Sequence, residues 1–311
     1  MTDSINIEEL GVKLGDHCRE NKVELFRRAL LTEDYVNEYD VLADVNDEVP
    51  LPSMKINDII KAGSTTFTPT DDAFEIDARM LKVKHLATHL RIDPYKYFQS
   101  WMAHLLSFKM NPEEFPLEAF IMTAVVDKIK EEFRFKHLYR GTTLMPGYLK
   151  IIENEIALGE LSAENENLVD TGVIGQTNVI DKFEMIYDNL NSVLKMKPTV
   201  MRVNPDLFQK YRRAYRGEFG GNTNYGGMAK DMSETLDGSM CKIVPEIGLV
   251  GSNRVIVTEA KNYKIGVKNL QDMATPRILV QHYTIDIMVD YRIGVEFGYV
   301  KEKCLVVNNQ A

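Results

Sequence analysis

Cysteine is scarce: Cys18, Cys241 and Cys304 are scattered over 311 positions. An odd number at such spacing forms neither a disulfide framework nor a paired-cysteine metal motif, and it suits a reducing interior. No apolar run approaches the roughly eighteen residues that a membrane helix needs, so no membrane partner is expected. The start, Met1 to Glu9, lacks the basic-then-apolar layout of a signal peptide. Gly-x-Ser-x-Gly, His-Glu-x-x-His and Cys-x-x-Cys are all missing. No catalytic residue, metal ligand or cofactor is therefore expected, and the chain reads as a non-enzyme. Neither an internal repeat nor a low-complexity tract appears.

Basic charge is also short. Lys and Arg number 37 against 46 Asp and Glu, a net charge of −9. Residues 1–50 alone hold 13 acidic and 5 basic side chains, so the remainder is close to neutral. A body built to grip phosphate backbones would show a basic excess. The acidic front reads as a solvated segment or an interaction arm that orders on a neighbour.

What the sequence does have is alternation. From Tyr283 to Tyr299 nine successive odd positions are large and mostly apolar, among them Ile285, Ile287, Val289, Tyr291, Ile293, Val295 and Phe297. Side chains alternate across a strand with period two, so this is extended chain with one buried face. Seventeen residues at about 3.3 Å each would span on the order of 56 Å. The segment is either one long bent strand or two strands with a tight turn near Arg292–Gly294.

Elsewhere the pattern changes with position. Leu10, Leu14, Cys18, Leu25, Phe26, Ala29 and Leu30 suggest amphipathic helix, and the stretch from Thr32 to Asp47 is acidic and irregular. Residues 53–93 read as a hairpin-like β excursion, with Phe74, Ile76, Ala78 and Met80 alternating with charged residues around a polar tip. Its edges would invite pairing with another chain. Asp93-Pro94 opens a short helix carrying Tyr97, Trp101, Leu105 and Phe108. Leu117, Ile121, Val125, Ile129 and Phe133 step by four along a helix from about 116 to 139, which Gly141 stops. Further helices are expected over 146–158 and 178–196. A strand at Thr199–Val203 leads through Asn204-Pro205 into a helix that Gly217 ends, and Asp237-Gly238 is a turn signal before short β runs at 241–244, 254–258 and 263–267.

Three clusters carry residue types suited to chemistry. The loop Gly217-Glu-Phe-Gly-Gly-Asn-Thr-Asn-Tyr-Gly-Gly227 follows a helix and fits no nucleotide-binding pattern, so it reads as a surface loop. Lys210, Arg212, Arg213 and Arg216, interleaved with Tyr211 and Tyr215, form a basic stripe that either is solvated, pairs with an acidic neighbour such as the arm, or binds nucleic acid. His85 and His89 share a face but have no third ligand nearby.

Several strings, taken in order, resemble one family. They are Val200-Met-Arg-Val-Asn-Pro205 with Leu207, Phe208 and Tyr211; Pro245-Glu-Ile-Gly-Leu-Val-Gly251 with Val255 and Tyr263; and Gln281 to Gly294 with Arg292. Together with the arm, β excursion, long helix, mixed unit and closing β run, they resemble the major capsid protein of tailed bacteriophages, the Hong Kong 97-type fold. The resemblance implies an α+β chain. An acidic arm would occupy 1–48 and an extended β-hairpin loop 49–93. A peripheral domain would be built from 94–177 and 269–311 with a spine helix at about 116–139, and an axial domain from 178–268. It further implies self-assembly into pentamers and hexamers of an icosahedral shell, located in the virion and made in the bacterial host cytoplasm. The shell would enclose double-stranded DNA without sequence-specific binding. Expected partners are further copies of the chain, a separate scaffolding protein, a portal and, optionally, decoration proteins. Candidate subunit-interface residues are Phe67, Phe74, Ile76 and Arg79 on the hairpin and Arg212, Arg213, Arg216 and Tyr225 on the axial unit. The alternatives are an encapsulin-like compartment shell and, from another class, a nucleic-acid-binding protein using the 210–216 helix.

Overall fold

A computed structural model of the chain describes residues 38–56, 74–93, 98–103, 117–219, 234–268, 277–281 and 284–310, with isolated positions among residues 10–16 and at 96. The long alternating segment is one strand. This strand, β12, runs Thr284–Phe297, and its length follows from its partners. On one side it pairs antiparallel with β4, Lys84–Ile92. On the other side two strands lie end to end: β11, Arg277–Gln281, against the first part, and β10, Tyr263–Val267, against the last. Ile293 marks the handover, since it is registered with both Lys84 and Val267. The odd face is buried as the alternation requires, with Ile287, Ile293 and Phe297 fully enclosed. Among the described odd positions Val289 is half-buried and Tyr299 is exposed, the strand having stopped at Phe297, while Tyr283 lies outside the described residues.

The stretch expected as one hairpin divides in two. Among the described residues β2, Glu48–Ile56, pairs only with β3, Phe74–Lys82, as a two-stranded ribbon. After Val83 the chain enters β4 and joins the main sheet, so residues 84–92 are core rather than excursion. Leu86 and Ile92 are buried there, and His85 and His89 face out. Gly266 and Gly294 oppose each other where the ribbon's base crosses the sheet. A side chain on Gly294 would collide with the carbonyl of Lys82, and one on Gly266 would meet Leu81 at 2.5 Å.

A second, mixed sheet runs in the order β5-β13-β9-β6-β8-β7. Its strands are β5 Leu168–Val169, β6 Thr199–Val203, β7 Glu234–Thr235, β8 Cys241–Pro245, β9 Ile256–Glu259 and β13 Leu305–Asn308. Relative to the sequence expectation, β10 and β13 change places: residues 263–267 belong to the β12 sheet, and residues 305–308 belong with β9.

The helices are α1 Leu117–Glu132, α2 Tyr148–Leu158, α3 Val179–Asp188, α4 Ser192–Lys195 and α5 Pro205–Phe219. A π-helical turn, Phe133–Leu138, prolongs α1, and Gly141 follows in a left-handed conformation with φ 72°. The helix expected over 178–196 is broken at Asn189–Asn191. The Asn191 side chain accepts from the Val193 amide at 2.9 Å and starts α4 afresh, offering the backbone an alternative to continuing α3. Asn204 does the same for α5, accepting from Asp206 N at 3.0 Å. Gly217 does not end α5, which continues to Phe219. The remainder of the glycine-rich loop lies outside the described residues.

Two hydrophobic cores result. One joins the β12 sheet to α1, its π turn and α2; the other lies between the mixed sheet and helices α3 and α5, where Phe183 stacks on Tyr211 at 5.4 Å. A small third cluster of Val45, Leu51, Leu81 and Val83 fills the ribbon's base.

The stretch from Thr32 to Asp47 reads as irregular, but its last ten residues are built into the body. β1, Asp40–Leu42, pairs parallel with β10; Tyr39 is buried; and Val45 is enclosed and donates its amide to Val267 O at 3.1 Å. Trp101 is buried within the helical residues 98–103, whereas Leu105 and Phe108 lie outside the described residues.

Candidate functional site

The most concentrated polar structure sits where the two cores meet. β6 is buried along its length, yet it carries Arg202, whose side chain is fully enclosed. Isolating a guanidinium in that setting would be prohibitive without a counter-charge. Glu246 supplies it from the segment after β8, its carboxylate equally enclosed and ion-paired to Arg202. The other carboxylate oxygen meets Arg134 of the π turn at 3.3 Å. Tyr39 donates to Glu246 at 3.3 Å and shares a 2.7 Å hydrogen bond with Tyr139. The guanidinium of Arg202 is packed between aromatic rings, 4.3 Å from the Tyr39 centroid and 4.8 Å from that of Tyr263. Glu38 reaches Arg202 from the solvent side at 3.3 Å.

Four parts of the chain thus converge: the segment before β1, the end of the long helix, β6 with the β8 exit, and β10. Burial pushes the Tyr39, Tyr139 and Tyr263 phenols well up, so they stay neutral at ordinary pH. Burial works against the charge on Arg202, but the surrounding tyrosines and Glu246 outweigh it. This arrangement clamps; it offers no base next to a nucleophile. Burial likewise raises the Cys241 thiol to about 11, which leaves it protonated and inert near neutrality.

A second cluster fixes the ribbon's base. Arg79 of β3 donates to Glu155 of α2 at 2.7 Å, to Glu296 of β12 at 2.8 Å and to the Phe297 carbonyl at 3.0 Å. Burial raises the Glu296 carboxyl against the opposing pull of Arg79. Arg79, expected at a subunit interface, is therefore engaged within its own chain. Phe74 and Ile76 take their places in β3 opposite Ile56 and Met54. Phe67 and Tyr225 lie outside the described residues. Arg212, Arg213 and Arg216 stand exposed along α5, with Arg212 held 5.9 Å from the Phe208 ring. Within the described part of the acidic segment, four carboxylates go to other basic groups of the body: Glu38 to Arg202, Asp40 to Lys264, Asp47 to Arg292 and Glu48 to Lys82.

One surface groove of about 700 Å³ opens beside α4. Its lysines are each paired with a carboxylate, Lys195 with Asp188, Lys301 with Glu160 and Lys303 with Glu166. Among the described residues no group of three or more His, Cys, Asp and Glu is placed to hold a metal, and His85 lies 3.5 Å from Asp290.

No protein-family model and no curated protein matches this sequence. Solved structures do. A satellite phage P4 procapsid structure aligns over 93% of this chain and 98% of its own, with TM-score 0.53 and 10% identity. The capsid of a native GTA particle aligns over 88% and 94%, with TM-score 0.53 and 11% identity. A Gordonia phage Cozz structure aligns over 88% and 84%, with TM-score 0.53 and 10% identity. The chain has the phage capsid fold. At these identities the likeness lies in the path of the backbone, an α+β capsid fold. Arg202 and Glu246 were missed as a pair in the sequence, although each stands as a lone charge inside an otherwise apolar string that carries the capsid resemblance.

Proposed function

We propose that this chain is the shell subunit of a phage-type capsid, assembling with its own copies into pentamers and hexamers around double-stranded DNA. The observation that carries this reading is the capsid fold followed over nearly the whole of both chains in the P4 procapsid comparison. In this reading the β2–β3 ribbon is the extended loop and α1 with its π turn is the spine. The β12 sheet forms the peripheral domain, and the mixed sheet with α3 and α5 forms the axial one. The ribbon supports it physically. An isolated two-stranded ribbon is marginal in water, and β2 and β3 pair with no further strand among the described residues. Its open edges are a liability on a monomer and are covered in a closed shell. A scaffolding protein, a portal and optional decoration proteins are the partners this role calls for.

Negative-stain electron microscopy tests it, on the chain expressed alone and together with the products of neighbouring genes. Closed angular shells or five- and six-fold rings are expected. A persistent monomer in both preparations would overturn the reading. Salt-sensitive DNA binding lost in Arg212→Ala/Arg213→Ala would then favour the basic helix as a nucleic-acid site.

A further inference from the structure

The mixed-sheet unit carries two faces of opposite charge, on the packed helices α3 and α5, with no ion pair between them among the described residues. On α5, Phe208 and Tyr211 turn inward, and the opposite side presents Gln209, Arg212, Arg213 and Arg216 to solvent. Arg213 and Arg216 have no ion pair within 4 Å among the described residues. On α3, Phe183, Ile186 and Tyr187 turn inward, and Asp181, Glu184 and Asp188 face out. Glu184 lies within electrostatic reach of Asp181, Asp188, Asp237 and Glu218, all of which oppose its ionisation. One helix of this unit thus repels anions from its outer side, and the other attracts them.

A second observation marks the acidic side as a contact surface. Exposed apolar side chains lie among its carboxylates: Met185 on α3, Met196 just after α4 and Met240 in the β7–β8 turn are 41%, 82% and 57% exposed. Tyr187 holds this corner together, donating to the Lys195 carbonyl at 3.3 Å and lying against Ser239, the residues just before Met196 and Met240. Methionine and arginine are enriched where protein surfaces meet, and exposed apolar groups gathered at one corner fit a protein partner. Nucleic acid would be repelled from this corner.

We propose that the arginine face of α5 docks onto the acidic, methionine-bearing corner of α3, α4 and the β7–β8 turn in a second copy of this chain. This rests on the shell reading and names the pair of surfaces that would join neighbouring mixed-sheet units. The contact matches cation to carboxylate across the junction. Like charges meeting there would cost several kcal/mol, which gives register and direction as well as attraction.

Charge reversal tests it on the full chain, with shells and rings counted by negative stain and the assembled fraction measured by sedimentation velocity. Arg213→Glu/Arg216→Glu should lower the assembled fraction by about tenfold or more. Asp181→Lys/Glu184→Lys should do the same, and all four changes in one chain should restore assembly. These positions are exposed, so each variant should melt at the parent's temperature. If the parent assembles and Arg213→Glu/Arg216→Glu assembles equally well, the docking is wrong while the shell reading stands. Failure of the fourfold variant to exceed either pair would also overturn it, since a specific pairing must be reversible. DNA binding lost in Arg213→Glu/Arg216→Glu with assembly untouched would assign the basic face to nucleic acid instead. A parent that never assembles removes both the shell reading and this proposal.

Discussion

Arg202 and Glu246 carry full charges in a place where water does not reach, and each is the other's fully buried counter-charge. Such pairs add little net stability over well-packed apolar side chains, but removing one partner strands the other, at about 3–5 kcal/mol. Arg202→Ala should therefore lose about that amount in equilibrium urea unfolding, with the buried Glu246 left to Arg134 and Tyr39 alone. Arg202→Met/Glu246→Leu, which discards both charges and keeps the volume, should recover most of it. A cost below about 1 kcal/mol for Arg202→Ala would show that solvent reaches the carboxylate. The rings of Tyr39 and Tyr263 on the guanidinium explain why lysine is a poor substitute, since an ammonium cannot stack as a plane or share its protons across a fork. In the sequence each charge was visible as an anomaly within an apolar string. Their partnership was not, because residues 202 and 246 meet only when β6 and β8 align in parallel, a pairing that no local pattern encodes.

Elements were legible where their signal is local. The four-residue step of Leu117 to Phe133 marks α1, and two-residue alternation marks β12, because one buried face imposes each period. What failed was decided by distant partners. β11 has no strong alternation of its own and exists as a strand because β12 offers it an edge. The 38–47 stretch reads as solvated acidic chain, since neither its parallel pairing with β10 nor its basic partners at 202, 264 and 292 can be seen locally. Gly294 shows the same dependence in reverse: it reads as a small residue in a good strand, and its reason is the carbonyl of Lys82 crossing above it. Gly294→Ala should consequently cost about 1–3 kcal/mol, as overpacking does, although alanine is an ordinary strand residue. Thermal unfolding against Gly175→Ala, whose added carbon meets nothing nearer than 3.7 Å, provides the contrast. Equal melting temperatures for the two variants would mean that the ribbon's base yields freely.

At the scale of the whole molecule the acidic front divides at a definite place. Between residues 38 and 48 there are five acidic side chains and no basic one, and four of the five are paired to the body. The strongest local excess of negative charge is thus internal wiring between the two cores and the ribbon, and an arm that serves other subunits must lie upstream of it. That changes what a truncation should do. A chain starting at residue 38 keeps Tyr39 in the Arg202 cluster, β1 on β10, and Asp47 O accepting the Val83 amide at 2.8 Å. It should unfold cooperatively, yet form fewer normal shells than the full chain. A chain starting at residue 48 also loses the buried Tyr39 ring, worth about 3–5 kcal/mol by itself, and leaves Arg202 without one face of its cage. It should express poorly or melt far below the other. Comparing the two by thermal melting separates folding from assembly. If both melt with the parent, residues 38–47 are a dispensable strap and the two cores hold without them. If only the longer chain does so and its shells are fewer, the segment before residue 38 acts between subunits and the one after it acts within them.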